Sequence, residues 1–119
     1  MPTPSDNTAQ MLADRVRQHL RTVAGSGAPI PYQALAEAMS LTPPNTIHRI
    51  TVALEQLIEE DAVNQRPLIA ALVVSKARGG LPAPGFFDCA RRFGRLQGGD
   101  DTAAHASEVS MAAAYWRTD

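Results

Sequence analysis

The amino-acid sequence predicts a mainly helical domain with a small β element, and three observations carry that prediction. Apolar residues recur at helical spacing in three stretches ahead of residue 61. The continuous apolar run LIAALVVS over 68–75 lies between Pro67 and a Gly/Pro-rich stretch, the pattern of a short buried strand. An Ala-rich segment preceded by cap-forming residues fills 100–117. With 119 residues, a single domain is expected. A composition of 45% hydrophobic and 19% charged residues is that of a globular chain and not a disordered one.

Residues 1–7, MPTPSDN, are polar and read as a flexible lead-in that supplies a helix cap. From Thr8 the pattern is helical: Leu12, Val16, Leu20 and Val23 share one face, and Asp14, Arg15, Arg17, Gln18 and Arg21 take the others. Gly25-Ser26-Gly27 stops this helix. A second, shorter helix follows in PYQALAEAMS, with Pro31 in its first turn and Tyr32, Leu35, Ala36 and Met39 inward. After the turn Leu41–Asn45, with Thr42 or Asn45 as N-cap, a third helix places Ile47, Ile50, Leu54, Leu57 and Ile58 on its inner face. The run 68–75 is then the strand, and KARGGLPAPG over 76–85 a loop. FFDCARRF forms a short helix ended by Gly94, Gly98-Gly99 a hinge, and Asp100-Asp101-Thr102 the cap of a last helix through Arg117. The domain proper therefore spans 8–97, with the hinge and Ala-rich helix over 98–119.

Helix, short helix, turn, amphipathic helix, strand, Gly/Pro loop is the order of a winged helix-turn-helix, here with an extra C-terminal helix. In that architecture the third helix enters the major groove of duplex DNA and meets base edges near its N-terminus. The face opposite the inner stripe carries His48, Arg49, Val52 and Gln56. Arg49 stands near the start of the helix while Glu55, Glu59, Glu60 and Asp61 crowd its end, against the preference of the helix dipole. Lys76 and Arg78 stand beside the glycines of the wing, and Arg91, Arg92 and Arg95 follow Phe86 and Phe87 on the next helix. Residues 76–95 hold these five cations against Asp88 alone. The expectation is a non-catalytic DNA binder, a small transcriptional regulator or accessory factor. His48, Arg49 and Gln56 address the groove, Lys76 and Arg78 act from the wing, and Arg91, Arg92 and Arg95 contact phosphates.

The segment IPYQALAEAMSLTPPNTIHRITVAL resembles the helix-turn-helix of the DNA alkylguanine alkyltransferases and alkyltransferase-like proteins. Tyr32, Leu35 and Ala36 match the first helix of that motif, and Arg49 matches the Arg that enters the base stack in those proteins. The Pro-Cys-His-Arg motif of that family is missing: Ile69-Ala70-Ala71-Leu72 stands in its place, so alkyl transfer is not expected.

Other chemistry is thinly represented. Cys89 is a single cysteine, which excludes a disulfide framework and suits a reducing, cytoplasmic location; it reads as a small packed thiol. His19, His48 and His105 lack metal-ligand spacing, and no cofactor or enzymatic residue set is legible. No apolar run approaches the ~18 residues of a membrane span. The rival expectation is a protein-interaction adaptor on the same scaffold, with the acidic stretch 55–61 and the Trp116 tail as partner surfaces, or self-association through the last helix. The net charge of −1 conceals a division: residues 12–98 carry +3, offset by acidic flanks.

Overall fold

The computed structural model describes residues 4–117. Helix α1 covers Pro4–Ser26, so it begins at Pro4 and not at Thr8; residues 1–3 of the expected lead-in lie outside the described residues. Leu12, Ala13, Val16, Leu20, Val23 and Ala24 form its buried stripe, as the spacing predicts. Gly27 takes a left-handed φ of 78°, and its N–H closes the helix on the Val23 carbonyl at 3.2 Å.

Strand β1 (Ile30–Pro31) leads directly into α2 (Tyr32–Ala38), and α3 runs from Thr46 to Val63. Asn45 occupies the N-cap position of α3 in a left-handed conformation, but its side chain makes no capping hydrogen bond. The inner face of α3 is Ile50, Ala53, Leu54, Leu57, Ile58 and Asp61. Two expectations need correcting here. Ile47 is 44% exposed, because it projects from the first turn over a groove and not over a packed neighbour. Asp61, expected to belong to a solvated helix end, is 0% exposed.

The apolar run divides differently from the single strand expected over 68–75. Ile69–Leu72 is a 3-10 turn, and strand β2 is limited to Val73–Val74. β2 pairs in parallel with β1, Ile30 opposite Val73 and Pro31 opposite Val74. The reason lies in packing: α1, α3 and α5 (Asp101–Trp116) all rest on this 3-10 turn. Every residue from Leu68 to Val74 is buried, and a segment covered on all sides needs no period in its sequence. The loop after β2 opens with a second 3-10 turn, Lys76–Arg78, and α4 covers Pro84–Arg92. Among the described residues the result is a mainly helical fold of five α-helices with one two-stranded parallel sheet.

The cap expected at the start of α5 is present: the Asp100 carboxylate accepts the Ala103 N–H at 3.0 Å. α5 packs in cis onto α1 and the Ile69–Leu72 turn and buries His105, Glu108, Ala112 and Trp116. That face, and Trp116 with it, is therefore occupied inside the chain and is not the partner surface of the adaptor expectation. Glu108 accepts the Leu68 N–H at 2.7 Å, and Arg95 donates to the same carboxylate at 3.0 Å. His105 Nε2 lies 2.9 Å from the Ala71 carbonyl, with its ring edge-on to Phe86 and Phe87.

A charged cluster joins these layers. Asp61 Oδ1 lies 2.9 Å from a guanidinium nitrogen of Arg17 and 3.0 Å from one of Arg66, while Oδ2 accepts the Ile69 N–H at 3.1 Å. Both guanidinium groups stand over the Trp116 ring, at 4.7 and 5.1 Å from its centre, and the indole N–H donates to the Pro67 carbonyl at 2.8 Å. Burial pushes the Asp61 carboxyl up, and the Ile69 N–H and the two guanidiniums pull against that push. Removing the carboxylate strands two partly buried cations. Asp61→Ala is expected to destabilise the fold by about 3–5 kcal/mol, read from the urea midpoint. A second pair of variants checks the register of α3. Ile50→Ala is expected to cost about 2–5 kcal/mol, and Ile47→Ser to stay within about 0.5 kcal/mol of the parent chain.

Candidate nucleic-acid interface and the adjoining groove

The site is built on the first turn of α3. Successive helical residues are rotated by about 100°, so Ile47, His48 and Arg49 fan out over its two flanks and its crest. His48 is exposed on the crest, in line with the exposed Val52 and Glu59. Arg49 lies on the stripe that continues through Gln56 and Glu60. That stripe faces α1, because Gln56 bonds to Gln10 and Glu60 pairs with Arg17 at 3.0 Å. Ile47 and Thr51 occupy the other flank, toward the loop that carries Lys76.

That loop is held tightly. The Ser75 N–H donates to the Leu81 carbonyl at 2.8 Å, and Gly79 and Gly80 take left-handed φ values of 66° and 94°, which the return of the chain requires. Lys76 and Arg78 are exposed on it, and the Arg78 guanidinium donates back to the Pro82 carbonyl. β1–β2 pairing sets Val74–Lys76 beside Pro31–Gln33 and leaves a groove of about 400 Å³ between α2, the first turns of α3 and the loop. Thr51, Gln33 and Ser75 line it with Ile47 and Lys76. Those three polar residues carry no spacing signal in the sequence and become neighbours only through the strand pairing.

The structure divides the sequence-predicted site residues into two sets. His48 and Arg49 stand on the first turn of α3, Lys76 lines the groove beside it, and Arg78 is exposed two residues farther along the loop. Gln56 is half-buried and engaged with Gln10. Arg91 is paired with Asp101 and stands over Phe87, and Arg92 stands over Phe93 beside a second groove lined by Glu55 and Glu59. Arg95 is part of the frame, bonded to the Arg66 carbonyl at 2.8 Å and to Glu108. Among the described residues, Arg49 and Lys76 are the cations whose side chains make no hydrogen bond, ion pair or ring contact.

Among the described residues no group of three or more His, Cys, Asp or Glu side chains is placed to hold a metal ion, and no helix is long and apolar enough to cross a membrane. No family model, no curated protein and no solved structure matches the chain. Cys89 is buried, with its Sγ 3.9 Å from the Glu55 carbonyl. Burial pushes its thiol up, the Glu55 and Glu59 carboxylates add to that push, and Arg92 opposes it. Cys89 is expected to resist a disulfide reagent such as dithionitrobenzoate at neutral pH, and to react fully once the chain is unfolded in guanidinium; absorbance at the thiolate product band reads both.

Proposed function

We propose that this protein binds duplex DNA without catalysing a reaction, as a winged helix-turn-helix module that acts as a small regulator or accessory factor. The N-terminal turn of α3 enters the major groove. The observation that carries this reading is the distribution of uncommitted charge. Nearly every other arginine is tied into the fold, whereas Arg49 and Lys76 have no partner among the described residues, one on each flank of the same helical turn. A helix with its side chains is about 10–12 Å across, close to the ~12 Å width of the major groove. Cations on both flanks thus suit the phosphates of both strands, with His48 on the crest toward the base edges. Glu55 and Glu59 farther along α3 are repelled by phosphate, which favours entry of the helix by its first turns only. The wing is reduced to the knob of residues 75–81, which brings Lys76 and Arg78 to the backbone.

The test is fluorescence anisotropy on a mixed-sequence duplex. Three phosphate contacts predict that affinity falls about 40-fold between 50 and 200 mM salt. Arg49→Ala and Lys76→Ala are each expected to weaken binding and to flatten the salt slope by about one unit. Arg91→Ala leaves that slope unchanged. Absence of salt-dependent binding by the parent chain overturns the proposal. It favours instead a protein partner on the outer face of α3, where Val52 and Val63 are exposed beside Glu59.

A further inference from the structure

The groove beside the first turn of α3 has the make-up of a small-molecule site. Ligand pockets of about 300–1,000 Å³ are largely apolar with a few convergent polar groups, and this groove is about 400 Å³. Its apolar part includes Pro31, Ile47, Val74, Ala83 and the ring of Tyr32. Ile47 is the telling member, a branched aliphatic side chain left 44% exposed at the groove while its helical neighbour Ile50 is fully buried. The polar part is Gln33, Thr51 and Ser75, hydrogen-bonding groups of neutral character, together with Lys76. Among the described residues no carboxylate lines the groove and the Lys76 ammonium has no partner. A cation without a counter-ion at the edge of an apolar trough selects one class of ligand, a small amphipathic monoanion with an apolar body and a single carboxylate.

We infer that this groove binds an amphipathic monocarboxylate, its apolar body against Ile47 and Val74 and its carboxylate on the Lys76 ammonium. Occupancy has a further consequence that rests on the DNA proposal: the ligand neutralises Lys76 and fills the flank of α3, so it acts as an effector that lowers DNA affinity. The binding itself stands apart from that proposal, because it is measured on the free protein.

Octanoate serves as the probe, with octanol as its neutral counterpart, added to the isotope-labelled full chain and followed by heteronuclear NMR. Saturable shifts centred on Gln33, Ile47, Val74 and Lys76 are expected, with octanol weaker by about tenfold, equivalent to about 1.4 kcal/mol for the lost charged contact. Lys76→Gln is expected to remove the preference for octanoate over octanol. Ile47→Ser is expected to weaken both ligands several-fold while the remaining spectrum, and thus the fold, is retained. Equal affinity for the two ligands, shifts centred elsewhere, or no saturation by 10 mM (a generous ceiling, about −2.7 kcal/mol) each overturns the inference. Adding octanoate to the anisotropy assay separates the two proposals: octanoate binding to a chain that does not bind DNA retains the site and removes the effector role.

Discussion

The arrangement of this protein depends on one buried carboxylate. Asp61 sits at the end of α3, where a charge costs several kcal/mol to desolvate unless partners surround it. The fold supplies them from separate parts of the chain: Arg17 from α1, Arg66 and the Ile69 N–H from the segment that follows α3. Trp116, from the far end of α5, then roofs both guanidiniums. Each partner is useful only if its element is correctly docked, so the cluster fixes the relative placement of α1, α3 and α5 more narrowly than apolar burial does. Hydrophobic packing is tolerant of small slides; a two-arginine fork on one carboxylate is not.

This demand explains how charge is distributed over the surface. Arg17 and Arg66 serve Asp61, Arg95 serves Glu108 and the Arg66 carbonyl, and Arg91 serves Asp101. What remains unspent is concentrated around the first turn of α3 and the adjoining loop. A chain with net charge −1 can therefore present a locally cationic face, because Glu60, Asp61, Asp101 and Glu108 are paired with arginines in place and Glu55 and Glu59 lie farther along α3.

The helices were legible because each packs one face against the core. Leu12, Val16 and Leu20 on α1, and Ile50, Leu54 and Leu57 on α3, kept the helical period, and Asp100 kept its cap. The segment 68–75 was legible as core but not as conformation, since a stretch buried on every side has no polar residues to mark its period. Ile47 was misplaced for the complementary reason: spacing says which residues lie near one another on a helix, not where the opposing surface ends. Asp61 was misplaced because an acidic residue after Glu59 and Glu60 looks like a solvated end until Arg17 arrives from another helix. Of the candidate site, His48, Arg49, Lys76 and Arg78 were readable from position. The commitment of Arg91, Arg95 and Gln56 to internal partners was not, because those partners lie on other elements or beyond a turn.

The dependence of the core on α5 has a consequence for the order in which the chain folds. The Leu68 N–H and the Pro67 carbonyl find their partners in Glu108 and Trp116, which lie 40 and 49 residues further along the chain. Until α5 docks, the 68–74 segment lacks one of the three helices that cover it, and the Leu68 N–H has no partner from Glu108. Closure of the core therefore waits on contacts between segments far apart in the chain, which places the docking of α5 late in folding.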